Sequence, residues 1–292
     1  MSGDSSVATL LDMGVAALKA AGVENPRAEA RLLLAYATGL DKAAQIRDPQ
    51  TKVTTPQQHR YDGLVSRRAA REPMAYILGH REFYGLEFDV NPAVLIPRPE
   101  TELIVERGSQ LLAGAHQARI LDIATGSGCL LVALLTSLPG SSGQGSDVSA
   151  PALEIAKANA RKHGVDAATE FFLADWAKGI EGPFDLIVSN PPYIPHAEIA
   201  HLQPEVALFE PLMALDGGTD GIEPYKAMTP DLMRLSGPTT RILLEIGQGQ
   251  ENVLDAWFAQ HGFVVGMHRD HAGIVRVLEL CWPVTFDRSL HP

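Results

Sequence analysis

Asn190-Pro191-Pro192-Tyr193 is the stretch whose residue types and order can do chemistry. The residues before it, Phe184-Asp185-Leu186-Ile187-Val188, are apolar and β-branched and read as a buried strand. Two prolines end that strand in a rigid turn, because each lacks an N–H and holds φ near about −65°. Asn190 sits where the strand stops. Its amide offers an acceptor oxygen and two donor hydrogens and stays neutral at any pH. Tyr193 adds an aromatic face. A neutral donor and acceptor, a free carbonyl and a ring at the C-terminal edge of a strand suit a planar amide or aminopurine nitrogen. Such a nitrogen is a poor nucleophile, because its lone pair is delocalised. Hydrogen bonds from its N–H groups to Asn190 Oδ1 and the Pro191 carbonyl would orient it and favour the charge that develops on it during attack. Asn-Pro alone is a common turn signal. Its weight here comes from the strand before it and from a glycine loop upstream.

That loop is Ala124-Thr125-Gly126-Ser127-Gly128. It follows a strand read at 119–123 and precedes a helix read at 129–138. Strand, glycine loop and helix is the arrangement in which backbone N–H groups and close main-chain approach hold a nucleotide-like ligand. No Gly-Lys-Ser/Thr follows, which argues against a phosphate loop, and a full dinucleotide fingerprint is missing. Asp147 lies 19 positions after Gly128, at the end of an expected second strand, where a carboxylate can accept from both ribose hydroxyls. A third strand at 169–173 ends in Ala174-Asp175-Trp176. Asp175 can bond an adenine amino group, and Trp176 can pack on the ring. Further strands are read at 184–189, 241–246, 263–268 and 274–280, and a helix at 152–163. Alternating strands and helices predict a parallel α/β sheet. The last two strands have no helix between them and predict an antiparallel edge pair. Residues 194–222 are too long for a simple connection and suit a lid beside the Asn-Pro-Pro-Tyr turn. Residues 247–250 read as a helix-entry loop.

The first part of the chain has a different texture. Helices are read over 7–21, from Asn25-Pro26 to near Gly39, and from Thr55-Pro56 to near Arg71. They form a small helical bundle, with Arg67, Arg68 and Arg71 as a basic patch that is either a solvated face or a partner contact. Residues 82–90 alternate, carry aromatics and read as a β-hairpin turning at Gly85. Pro99 can occupy the first turn of a helix running to about 113. The expected organisation is a helical domain over 1–80, a hairpin and linker over 81–115, and a ligand-binding domain over 116–292.

Composition bounds the rest. The chain has 292 residues, 46% of them hydrophobic, enough for one large or two modest domains. Its two cysteines, Cys129 and Cys281, argue for a reducing compartment rather than a disulfide framework. The polar Met1–Ser6 stretch is no signal peptide, and no apolar run nears the roughly 18 residues of a membrane span. A cytoplasmic protein without membrane association is expected. Residues 1–80 carry a net charge of +2 and the remainder −13. An acidic body repels a phosphate backbone, so no direct nucleic-acid partner is expected. The His and Cys residues lack metal-ligand spacing, so no metal is expected.

Asn-Pro-Pro-Tyr resembles the signature of amino-group methyltransferases that use S-adenosylmethionine, among them adenine-N6 DNA methyltransferases and protein-glutamine N5 methyltransferases. Over residues 7–280 the chain resembles one family closely, the HemK/PrmC-type peptide chain release factor glutamine N5-methyltransferases. The resemblance rests on Arg71-Glu72-Pro73-Met74-Ala75-Tyr76-Ile77-Leu78-Gly79, Phe83-Tyr84-Gly85 and Leu95-Ile96-Pro97-Arg98-Pro99-Glu100-Thr101-Glu102. It continues through 124–129, 190–193, Phe209-Glu210-Pro211 and 214–221. It implies a class I (Rossmann-like) α/β fold with a seven-stranded sheet and an antiparallel edge strand. It also implies an N-terminal all-α bundle that helps recognise the release factor. It places S-adenosylmethionine against Ala124, Thr125, Gly126, Ser127, Gly128, Asp147, Trp176 and Asn190, and the reading of the residues adds Asp175 to that cofactor set. The glutamine of the Gly-Gly-Gln motif would lie against Asn190, Pro191, Pro192 and Tyr193. Its nitrogen would attack the methyl group in line, leaving S-adenosylhomocysteine, with Asn190, Pro191 and Tyr193 as the catalytic set. An adenine-N6 DNA methyltransferase is disfavoured by the acidic body and the absence of a target-reading domain. The other alternative is a release-factor-binding protein with weakened catalysis. It is raised by Ala124, where the family usually has Gly, and by the Gly/Ser-rich second strand, 141–146.

Overall fold

A computed structural model describes residues 5–115 and 117–283. Most of the Met1–Ser6 stretch, expected to be no signal peptide, lies outside the described residues, as does the end of the 116–292 stretch. Contacts divide the chain into two compact units, Met1–Gly79 with Gln203–Phe209, and His80–Leu202 with Glu210–Pro292.

The first unit is helical. Helix α1 (Val7–Ala20) is capped by Ser6, whose hydroxyl accepts from Thr9 N. Helix α2 (Pro26–Thr38) starts on a proline and stops at Gly39, which takes a left-handed φ of 78°. A short helix that the sequence pattern does not announce, α3 (Lys42–Arg47), is capped by Asp41. Helix α4 (Thr55–Ala69) is capped by Thr54, one residue before the expected position, through a box with Gln57. Helix α5 is Met74–Leu78. Leu10, Leu18, Leu33, Leu34 and Tyr61 fill the core between them. The arginines are not a free basic patch. Arg67 Nε donates to Glu72 at 2.8 Å, and Arg68 donates to Glu29 and, at 2.8 Å, to Glu205. Arg71 donates to Glu205 at 2.6 Å and to the Gly22 carbonyl at 2.8 Å. Glu205 lies in the short helix Pro204–Phe209, so these arginines hold that distant piece of chain to the bundle.

The second unit opens with a hairpin, β1 (His80–Phe83) and β2 (Leu86–Asp89), then helix α6 (Glu102–Leu111). Strand β3 (Arg119–Ile123), helix α7 (Cys129–Ser137), strand β4 (Ser142–Asp147), helix α8 (Ala150–Lys162), strand β5 (Thr169–Leu173) and strand β6 (Phe184–Ser189) follow. With Pro204–Phe209 counted as α9, the chain continues through α10 (Glu223–Leu235), β7 (Ser236–Glu245), α11 (Glu251–Gln260), β8 (Val264–Arg269) and β9 (Val275–Cys281). The sheet order is β5-β4-β3-β6-β7-β9-β8, parallel except for β9, which runs antiparallel between β7 and the edge strand β8. Alternate strand residues serve opposite faces. Leu121, Ile187 and Leu244 join one core with α10 and α11, whereas Ile120, Leu186 and Leu243 join the other with α6 and α7.

Strand β4 has a steric reason for its small residues. A Cβ on Gly143 would lie 2.4 Å from Leu131 Cδ1, and one on Gly145 would lie 2.7 Å from Phe171 Cδ1. Bulk from α7 and β5 takes the room that strand side chains would use. The strand is still fully paired, Ile123 opposite Ser146 on one side and Asp147 opposite Leu173 on the other. The hairpin is fastened to α8 by buried Asn159, whose Oδ1 accepts from Asp89 N and whose Nδ2 donates to the Asp89 and Ser127 carbonyls. No described helix is long and apolar enough to cross a membrane.

Candidate active site

In a parallel sheet the carboxyl ends of the strands open a crevice where the loops diverge. Here a cavity of about 570 Å³ lies at the ends of β3, β4 and β6. Ala124, Thr125, Gly126, Ser127, Asp147, Asp175, Trp176, Asn190 and Pro192 all line it. The other residues expected at the site do not. Gly128 opens α7 with φ 79°, and a Cβ there would lie 3.1 Å from that of Ala156, so it serves the packing of α7 on α8. Pro191 is buried, and Tyr193 sends its hydroxyl to Glu245 Oε1 at 3.2 Å.

The floor of the cavity is built from backbone and carboxylates. Asp147 ends β4 and accepts from Gly126 N at 2.9 Å and Ser149 N at 2.8 Å. Burial raises its pKa, against the pull of those N–H groups. Each carboxylate oxygen keeps a lone pair, which two vicinal hydroxyls would satisfy. Beneath the loop, Asp122 accepts from the Thr125 hydroxyl at 2.5 Å, and burial pushes its pKa up to about 7. Ala124 takes a left-handed φ of 57°, a conformation that favours glycine.

The Asn-Pro-Pro-Tyr turn is tied down from several sides. Ser189 Oγ donates to the Ile123 carbonyl at 2.7 Å, joining the ends of β6 and β3. Asn190 Nδ2 donates to Thr101 Oγ1 at 3.0 Å. Gln250 Nε2 donates to the Tyr193 carbonyl at 3.0 Å and the Gly221 carbonyl at 3.1 Å, while its Oε1 accepts from Gly247 N at 2.8 Å. The stretch 247–250 is therefore a clamp as well as the entry to α11. Ile194 N donates to the Leu215 carbonyl and Gly217 N to the Ile194 carbonyl, which lays the 214–221 loop beside the turn. A Cβ on Gly221 would meet the Tyr193 carbonyl oxygen at 2.4 Å, so only glycine allows that approach. Glu210 accepts from Ile96 N at 3.1 Å and from Arg98 at 2.5 Å, holding the stretch before α6 against the segment that leads to Pro211 and Met213.

Sequence alone does not single out Thr101, Glu245 or Gln250. Thr101 lies inside a family motif, but its spacing from Asn190 carries no signal. Glu245 has one available signal, a charged residue closing the otherwise apolar run Ile242-Leu243-Leu244. A wholly buried carboxylate is costly unless it is paired and hydrogen-bonded.

Two family models match the chain. The PrmC N-terminal domain matches residues 9–79 and the methyltransferase small domain matches residues 101–207. The release factor glutamine methyltransferase of Rhodospirillum rubrum is 43% identical over 272 residues, covering 93% of this chain and 78% of that one. The chain belongs to the release factor glutamine methyltransferases. The Agrobacterium fabrum member of the family is 41% identical over 94% of this chain and 97% of that one. A solved methyltransferase from Pyrococcus furiosus superposes with a TM-score of 0.51 at 18% identity, over 68% of this chain and 89% of that one, and speaks for the fold alone. A methyltransferase of this family must hold a methyl donor.

Proposed function

We propose that this protein transfers a methyl group from S-adenosylmethionine to the side-chain amide nitrogen of the glutamine in the Gly-Gly-Gln motif of peptide chain release factors. The observation that carries the reading is Asn190, fixed at the end of β6 and lining the same cavity as Asp147 and the 124–128 loop. The donor set suits the cofactor. Half-buried Asp147 has only backbone partners and lone pairs left for a ribose diol. Asp175 and Trp176 offer a polar group and a ring for the adenine, and Gly126 leaves the backbone open to close approach. When bound, S-adenosylmethionine supplies an electrophilic methyl on a sulfonium.

The chain's own residues then orient the nucleophile. Asn190 Oδ1 accepts an amide N–H group at the cavity wall, directing the nitrogen and stabilising positive charge on it. Pro192 bounds the cavity beside it, and Tyr193 holds the turn from below through Glu245. No base of matched pKa is required before transfer, because the proton can leave once the nitrogen is alkylated. The helical residues 1–80 serve to recognise the release factor, and residues 81–115 link them to the catalytic part. The expected setting is the cytoplasm. Mass spectrometry of a purified release factor incubated with protein and cofactor tests the reading. A gain of one methyl on the Gly-Gly-Gln glutamine supports it, and an unmodified glutamine refutes it.

A further inference from the structure

We propose that Asp231 and Arg234 of α10 are positioning residues that hold Trp176 in a strained backbone conformation and so set the face on which the adenine of the cofactor stacks. The inference rests on the S-adenosylmethionine reading of the cavity and deepens it.

Trp176 follows β5 and lines the cavity. Its φ is 54°, in the left-handed region that disfavours L-residues and bulky ones most. Such an outlier persists only where its surroundings over-determine it, and outliers of this kind gather at ligand sites. Trp176 is gripped on both sides. Before it, Ala174 N donates to the Asp147 carbonyl at 3.0 Å, tying the chain to the end of β4. After it, Ala177 N donates to Asp231 Oδ2 at 3.2 Å. Arg234 Nη2 donates to the Ala177 carbonyl at 3.0 Å and to Asp231 Oδ1 at 2.7 Å. Arg234 Nη1 donates to the Ile180 carbonyl at 2.6 Å. Ala177 and Ile180 are buried in the core they share with Met228, Leu232 and Leu235 of α10, so the turn has no room to shift as a body.

Neither Asp231 nor Arg234 lines the cavity. Both act on the main chain that carries a residue which does. Asp231 takes the N–H of the peptide between Trp176 and Ala177, and Arg234 takes the carbonyl of the next peptide. Each peptide group is a rigid plane, so pinning the two keeps the strain at Trp176 instead of letting it relax along the turn. A guanidinium suits this task, because its donors sit in a fixed planar fork. One side chain thereby spans two carbonyls and a carboxylate. Without that grip Trp176 can return to a negative φ, which turns its Cα–Cβ bond and carries the indole off its present line. Aromatic contacts depend on ring separation and tilt, so a displaced indole holds adenine less well. The stack is made equally in the ground and transition states, so its loss weakens binding without slowing the bound complex.

The test is calorimetry of S-adenosylhomocysteine binding to the full-length protein as wild type, Trp176→Ala, Arg234→Ala and the double variant, with folding checked by a cooperative thermal transition. Trp176→Ala and Arg234→Ala should each weaken binding by roughly 2- to 10-fold, the size of one aromatic contact. The double variant should bind no more weakly than Trp176→Ala alone, because positioning a ring matters only while the ring is present. Steady-state kinetics of Arg234→Ala should show a higher cofactor KM with kcat retained. If Arg234→Ala does not fold, Arg234→Lys, which keeps the charge and loses the fork, takes its place in the cycle. Wild-type affinity in the arginine variant, or losses that add in the double variant, would overturn the positioning role. Unchanged affinity in Trp176→Ala would take the ring out of the site and the proposal with it. A wild type that does not bind S-adenosylhomocysteine removes the cofactor reading itself. Wild-type binding beside an additive cycle removes the positioning role alone.

Discussion

Ala124 carries a backbone conformation that costs an L-residue energy, φ 57° at the start of the 124–128 loop. An alanine here lacks glycine's freedom at positive φ, so the left-handed turn carries strain. A left-handed residue costs about 1–2 kcal/mol, while glycine loses about 0.4–1 kcal/mol through the unfolded chain. Ala124→Gly should therefore raise stability by up to about 1 kcal/mol in denaturant unfolding. A clear loss of stability would show that the methyl group makes contacts worth more than the strain. Asp147 supports a different expectation. A ribose contact is made equally in ground and transition states, and each charge-assisted hydrogen bond is worth about 1.5–3 kcal/mol. Asp147→Ala should weaken cofactor binding by roughly 10-fold or more with kcat at saturation largely kept. Unchanged affinity in calorimetry would place the ribose elsewhere. Both residues were legible in the sequence, because loop and strand-end positions follow from the strand pattern. Glu245, Thr101 and Gln250 were not, because the bonds that make them matter join residues far apart in the chain.

Strand β4 shows what can and cannot be read of an element from its own residues. Its position and its end at Asp147 are readable from the spacing to the glycine loop. Its Gly/Ser composition argues against a strand, since such residues are poor strand formers. The conflict is resolved by neighbours that one strand's own sequence does not reveal, Leu131 from α7 and Phe171 from β5. Gly143→Ala should cost about 1–3 kcal/mol, the usual range for overpacking, read as a lower midpoint in denaturant unfolding. A neutral result would mean that Leu131 has room to turn away. The same limit applies to Arg67, Arg68 and Arg71, a basic patch by sequence but ion-paired in the fold. Arg68 is the most enclosed, with a side chain 6% exposed between Glu29 and Glu205. Removing one member of a buried ion pair costs about 3–5 kcal/mol, so Arg68→Ala should lower the thermal midpoint of the helical unit. A midpoint equal to wild type would show these pairs to be no stronger than surface ones.

The molecule as a whole carries two buried carboxyls, Asp122 and Glu245, whose pKa values burial pushes up to about 7 from ordinary values of 3.8 and 4.5. The native state therefore binds more protons than the unfolded chain between about pH 4 and 7, and stability falls as pH rises through that window. Carboxyls held below their ordinary values, such as Glu205 and Glu279, act in the opposite sense and only at lower pH. Denaturant midpoints should be higher near about pH 5.5 than near about pH 8, and Glu245→Gln should reduce the difference; a midpoint that rises with pH would contradict this. What the candidate site does rests on Asn190. The most direct test is single-turnover methylation of a release factor by Asn190→Ala, with cofactor saturating and folding verified. Losing a preorganised polar contact of this kind costs about 10²–10³ in rate, and a fall of that size with cofactor affinity retained is expected. A rate near wild type would reduce Asn-Pro-Pro-Tyr to a turn and contradict its role in catalysis.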